Sequence, residues 1–288
     1  MRTRCRYFVL AVVAAAVGSI SVDPAASAQA PAAAAIARTP DGQPDIQGFW
    51  GTGAYAADME TGLPDDETAT LQGQGPVDRS KEVSLVVDPP DGRIPYQPWA
   101  QARRVSIPTF RRGETSRGRP STVRDIRPRT FCLHGTPRNM VTDFQVVQTP
   151  GYVILMWEFN HAYRIIPLDG RPPLPSTVKL AMGDGRGRWD GNTLVVETRN
   201  LNDWDWFDYT GTFHSDAINL VERFTIVDAK TMQYRVTVDD PKVFTRPWTY
   251  ALELKRTRMP GDGYELLEHA CVEGERGVAA LLEEAKRQ

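Results

Sequence analysis

From Phe144 onward the chain alternates apolar and polar side chains, or runs short β-rich stretches between turn formers, the period-two signature of strands. The segments are 144–148, 152–167, 188–190 with 193–198, 218–227, 233–239, 249–256 and 264–270. Their links are Thr149-Pro150-Gly151, Asp190-Gly191-Asn192, Asp228-Ala229-Lys230-Thr231 and Pro260-Gly261-Asp262-Gly263. These are hairpin lengths, so neighbouring strands should run antiparallel. Closing the sheet is the most complete way to hide its edges, which predicts an all-β, antiparallel, lipocalin-like or calycin-like barrel, with a two-sheet sandwich as the alternative. Over 277–286, Val278, Leu281, Leu282 and Ala285 recur at helical spacing and predict a C-terminal helix with one apolar face.

The first half reads differently. Residues 29–37 are Ala/Pro-rich and suggest a disordered leader, and 38–45 are turn formers that end at Phe49-Trp50. Pro and Gly recur through 51–130 and exclude long regular elements there, a short helix at 98–104 being the best local prediction. The expected organisation is one domain over 38–288: an irregular wrap (38–143), the strands (144–276) and the closing helix. Arg103, Arg104, Arg111, Arg112, Arg117 and Arg119 form a local basic cluster, read as a solvated loop in preference to an anion site.

The start of the chain changes the expected compartment. Arg2, Arg4 and Arg6 precede an apolar run from Tyr7 to Ile20, and Ala26-Ser27-Ala28 offers the small residues a signal peptidase accepts. Residues 1–28 therefore read as a secretory signal, which places the mature protein in the periplasm or outside the cell. No later stretch reaches the ~18 apolar residues of a membrane span. The mature chain would keep Cys132 and Cys271, and in an oxidising compartment these suggest one disulfide, which could add about 4–5 kcal/mol in the chain-entropy model. A catalytic thiol is the alternative.

Charge and composition then narrow the partners. The full sequence of 288 residues carries 34 Lys+Arg against 36 Asp+Glu, a formal charge of −2, which lacks the basic excess that phosphate-backbone binding requires. No nucleic-acid partner is expected. With no Gly-rich nucleotide loop and no close ligand spacing among His134, His161, His214 and His269, neither a cofactor nor a metal is predicted. A small-molecule ligand or substrate is the expected partner, and oligomeric state is left open.

Candidate chemistry comes from polar residues that share a strand face with large apolar ones. In 218–227 one phase reads Ile218, Leu220, Glu222, Phe224 and Ile226, which places Glu222 among apolar side chains. Burial would raise its pKa and suit it to acid or base work, unless Glu158 or Arg164, read on the same long strand, partners it structurally. His214 and Asp216 fall on one face if their segment is extended, and a carboxylate there would orient the imidazole. Between two strands, Asn202-Asp203-Trp204-Asp205-Trp206-Phe207-Asp208-Tyr209 gathers aromatics and acids in the manner of a pocket rim. His214, Asp216, Glu222 and Glu158 are thus the candidate catalytic residues, and Arg164, Trp204, Trp206 and Tyr209 the candidate substrate contacts.

Four strings taken together carry a resemblance: Arg38-Thr39-Pro40-Asp41-Gly42 with Pro44-Asp45 and Gly48-x-Trp50; Gly187-Arg188-Trp189-x-Gly191-x-Thr193-Leu194-Val195-Val196; His214-Ser215-Asp216; and Glu222-Arg223-Phe224. They resemble a large, uncharacterised family of secreted bacterial proteins, over nearly all of the mature chain. The resemblance implies no reaction. Members often carry Ala-Cys-His-Glu-Gly-Asn where this chain has Ala270-Cys271-Val272-Glu273-Gly274-Glu275, so no role for that histidine transfers. The residues themselves lead to two expectations. One is a cofactor-independent enzyme moving protons on a small apolar or aromatic compound, as a lyase, hydratase or isomerase. The other is a non-catalytic carrier for such a ligand.

Overall fold

Among the described residues ten strands, β1 (Gly48–Gly51), β2 (Val86–Asp88), β3 (Phe144–Thr149), β4 (Tyr152–Trp157), β5 (Tyr163–Pro167), β6 (Asp184–Asp190), β7 (Thr193–Arg199), β8 (Asn219–Asp228), β9 (Thr231–Asp239) and β10 (Trp248–Arg258), build one antiparallel sheet. This computed structural model describes residues 36–52, 58–62, 80, 83–107, 122–126, 136–137, 144–158, 161–259, 261, 263–267 and 283. The chain separates into residues 1–33, which lie outside that set, and a unit formed from residue 34 onward. The expected signal segment, both candidate disulfide cysteines and nearly all of the expected C-terminal helix, Glu283 excepted, therefore fall outside the described residues.

The strand order β5-β4-β3-β1-β10-β9-β8-β7-β6, with β2 added on β10, makes a nearly closed all-β barrel. Two hairpin meanders, β3–β5 and β6–β10, are joined by β1, which pairs with β3 on one side and β10 on the other. The Gly-Phe-Trp-Gly sequence of β1 is buried at every position, so four residues with no alternation still occupy the middle of the sheet. Among the described residues no backbone ladder joins β5 to β6. Their side chains close that seam instead. A Cβ on Gly187 would lie 2.7 Å from Ile166 and 2.6 Å from Leu168, so the bare glycine lets side chains of β5 and of the residue just after it cross over β6.

Several expectations need correction. The stretch 152–167 is two strands, not one, with the Trp157 amide bonded to the Ala162 carbonyl at 2.9 Å and His161 at φ 56°. The inward phase also switches between them. Val153, Leu155 and Trp157 point in from β4, and Arg164 and Ile166 from β5, while Tyr163 and Ile165 are exposed, so this hairpin is not covered on both faces. Strand β6 begins four residues before the expected 188, at Asp184; Gly185 and Gly187 had removed the apolar signal. Residues 264–267, read as a strand start, carry no strand.

Within 38–143, expected as an irregular wrap, β1 and β2 join the sheet, and other described residues are held by buried polar groups. Asp208 accepts hydrogen bonds from the Met59 amide (3.1 Å), the Thr210 and Thr212 amides (3.0 and 3.1 Å) and both threonine hydroxyls (3.0 and 2.9 Å). The helix α1 (Pro98–Ser106), which opens on a proline fit for its first turn, contributes Arg104, bonded to Glu60 and Thr210 at 3.0 Å each. Arg104 is thus interior and not part of a solvated basic loop; Arg111, Arg112, Arg117 and Arg119 lie outside the described residues.

Inside the barrel the space is filled. Trp50, Tyr234, Trp248 and Tyr250 pack there with Leu194, Val196 and Phe224. The part of the barrel around Glu222 is thus packed core.

Candidate functional site

Two places gather buried ionisable groups, and they differ in what is left unpaired. The first is the barrel interior. Glu222 on β8 is fully buried and Arg164 on β5 nearly so. The guanidinium grips the carboxylate through two bonds, Nη1 to Oε1 at 2.9 Å and Nη2 to Oε2 at 2.6 Å. Thr198 donates to Oε2 (2.7 Å) and accepts from Arg164 (2.9 Å), and the Tyr234 hydroxyl donates to Oε1 (2.8 Å). Burial pushes the carboxyl pKa of Glu222 up, but Arg164 and these donors together outweigh it and hold the group below its ordinary value. The adjoining void, about 10 Å³, has room for one water. Glu222 is therefore a sealed carboxylate, and Arg164 reaches across the open seam to β7 and β8, fastening what the backbone does not.

The second place is the barrel mouth. Here Trp99 and Arg103 of α1, Ile107, Arg124, Ile126, Asp203, Trp204, Trp206, Phe213, His214, Ser215 and Val243 enclose a cavity of about 310 Å³. Trp99 and Arg103 are four apart and so share one face of α1. Trp99 lies 5.9 Å from Phe213 between ring centroids, and the Arg124 guanidinium sits 4.9 Å from the Trp204 ring.

Among the described wall residues, His214 is the one titratable group that is both buried and incompletely bonded. Its Nδ1 contacts the Ser215 carbonyl at 3.0 Å; a carbonyl can only accept, so Nδ1 carries the proton and Nε2 is a bare acceptor. Nε2 is buried without a hydrogen-bond partner. Burial lowers the imidazole pKa, the Ser215 carbonyl and Asp205, Asp240 and Asp203 opposing it, so the ring is neutral at pH 7. The Ser215 end is fixed in turn by buried Asp240, which accepts from the Ser215 amide (2.6 Å) and hydroxyl (2.8 Å).

Of the residues predicted from sequence, the structure brings His214, Trp204 and Trp206 to this cavity and leaves the rest elsewhere. Asp216 does not pair with His214. The Ser215 hydroxyl accepts from the Ala217 amide (3.0 Å), making a turn where extension was assumed, and Asp216 faces solvent, bonded to Lys242 (2.9 Å). Glu222 and Arg164 hold each other. Glu158 follows β4 and accepts from the Tyr264 hydroxyl and, at 3.0 Å, the Leu267 amide. Tyr209 is not among the described residues lining the cavity. Sequence reasoning missed Trp99, Arg124, Phe213 and Asp240. Only the Trp99/Arg103 spacing on a predicted helix offered a signal.

Among the described residues no three His, Cys, Asp or Glu side chains gather as a metal site. Compared with protein-family models, curated proteins and solved structures, the chain matches none. The motif strings noted above fall largely on structural positions: Trp50 in the core, Gly187 at the seam, Glu222 and Phe224 inside the barrel.

Proposed function

We propose that the protein is exported and binds a small, largely aromatic compound in the cavity at the barrel mouth, with His214 Nε2 accepting a hydrogen bond from it. The observation that carries this reading is the buried, unpartnered Nε2 of a residue lining a cavity whose described wall is mostly tryptophan, phenylalanine and aliphatic side chains, with Arg103, Arg124, Asp203 and Ser215 among them. A buried acceptor left unpaired is expensive, and a ligand hydroxyl or N–H is the partner that would relieve it. The volume is within the range of small-molecule sites. Export rests on the N-terminal Arg-flanked apolar run, and in that compartment Cys132 and Cys271 would form the single disulfide.

Carriage is the first form of this function. Proton transfer is the second, favoured by one observation: a neutral imidazole with its proton on Nδ1 presents a free base at Nε2. In that form His214 acts without Asp216 or Glu222, which stand apart from it.

Two variants test the reading. His214→Phe removes both ring nitrogens; His214→Asn keeps a donor near the Ser215 carbonyl and removes the Nε2 acceptor. Small molecules retained by the purified wild-type protein, identified by mass spectrometry after denaturation, should be absent from both variants at unchanged near-ultraviolet circular dichroism. Equal retention in all three proteins would overturn it.

A further inference from the structure

The polar groups of the mouth cavity are ordered by depth, and their order carries information about the ligand. His214 is 3% exposed and marks the inner end. Arg124 and Asp203 are about half exposed, 51% and 42% for their side chains, and mark the rim, with Arg103 between at 37%. The body of the wall between them is aromatic and aliphatic.

The rim also carries two guanidiniums. Arg103 and Arg124 both line the cavity, whereas Asp203 is the one carboxylate among the described lining residues. Asp125, the partner of Arg103, is buried behind the wall with its side chain 2% exposed, and it also accepts from the Thr122 amide (2.8 Å) and hydroxyl (3.2 Å). It fixes Arg103 in place without presenting charge to the cavity. Arg124 pairs with Asp203 at 3.0 Å, but a half-exposed pair is worth little and yields readily to a better acceptor. Its guanidinium is steadied by the Trp204 ring, an arrangement that leaves in-plane N–H groups free for an incoming carboxylate. The rim therefore presents two guanidiniums, each held by a carboxylate that an incoming one would share or displace.

We infer that the ligand is a hydroxylated aromatic carboxylate: a phenol or equivalent donor at the inner end for His214 Nε2, a flat apolar body along the tryptophans, and a carboxylate at the rim for Arg124 and Arg103. This rests on the ligand-binding reading above and adds the anionic group to it.

Calorimetric titration of the wild-type protein with 4-hydroxycinnamate, its methyl ester and unsubstituted cinnamate tests the two ends separately. The acid should bind about tenfold or more tightly than the ester, as expected for a charge-assisted contact. Arg124→Gln should reduce that advantage to below about threefold with the ester unaffected, and removal of the hydroxyl should weaken binding about tenfold. An ester that binds wild type as tightly as the acid, and loses binding in His214→Asn, would overturn the carboxylate subsite while the pocket reading stands. Failure of all three compounds to bind would overturn both.

Discussion

Glu222 and His214 are both buried ionisable side chains set in apolar surroundings near the middle of the C-terminal half, and they end in opposite states. Every lone pair that Glu222 needs filled is filled, by Arg164, Thr198 and Tyr234. His214, which lines the mouth cavity, has one nitrogen satisfied by Ser215 and the other buried without a hydrogen-bond partner. Burial alone therefore does not distinguish a structural charge from a functional one. What distinguishes them is whether hydrogen-bonding capacity is left over, and whether there is space beside it.

The sharpest way to break this comparison is to remove one member of the interior pair. Arg164→Met strands a buried carboxylate and Glu222→Leu strands a buried guanidinium, and each should lower unfolding free energy by about 3–5 kcal/mol. The double substitution should restore most of that, because two apolar side chains replace two charges at once. Urea unfolding of the four proteins measures it. A small stability change joined to lost ligand binding in the single variants would instead make the interior the working site. Next in size is the seam. Gly187→Val drives a branched side chain into Ile166 and Leu168 and should cost about 1–3 kcal/mol, read in the same way.

The two regions should also separate by pH. His214 has a lowered pKa, so it resists protonation in the fold, whereas the unfolded chain takes up the proton near its ordinary 6.5. Stability is thus full above that value and falls as pH drops below it, and His214→Asn should flatten the slope between pH 7 and 5. Glu222 also has a lowered pKa, but as an acid: its contribution is present above the ordinary 4.5 and is lost only as pH falls through its lower folded value. A midpoint-versus-pH profile in which Glu222→Gln, and not His214→Asn, changes the slope near pH 6 would reverse the assignment. This is the smallest of the expected effects.

Legibility in the sequence followed the same division. Strands β8 to β10 could be read because each has one wet face and one dry face, and β7, buried over its first four residues, because its run of β-formers lies between turn signals; Glu222 stood out because it interrupts the dry face of β8. Its possible attachment to Arg164 was visible as well. Strand β1 was not, because burial on both faces erases alternation over four residues, and β6 was shortened because Gly185 and Gly187 place no side chain where the pattern needs one. The mouth cavity was half legible. The run from Asp203 to Trp206 announces a rim, but Trp99, Arg124 and Phe213 come from three separated segments, and periodicity carries no information about which loops meet. The proposed His214/Asp216 pair failed for a local reason: the Ser215 hydroxyl and Asp240 favour a turn where strand alternation had been assumed.

The most direct test is the imidazole of His214 itself, observed by long-range proton–nitrogen correlation in ¹⁵N-labelled protein at pH 7. The ring should appear as the neutral form protonated on Nδ1, and addition of 4-hydroxycinnamate should shift Nε2 while Nδ1 keeps its proton. A ring already protonated on Nε2, or an Nε2 resonance indifferent to a ligand that binds, would contradict the assignment of the barrel mouth as the binding site.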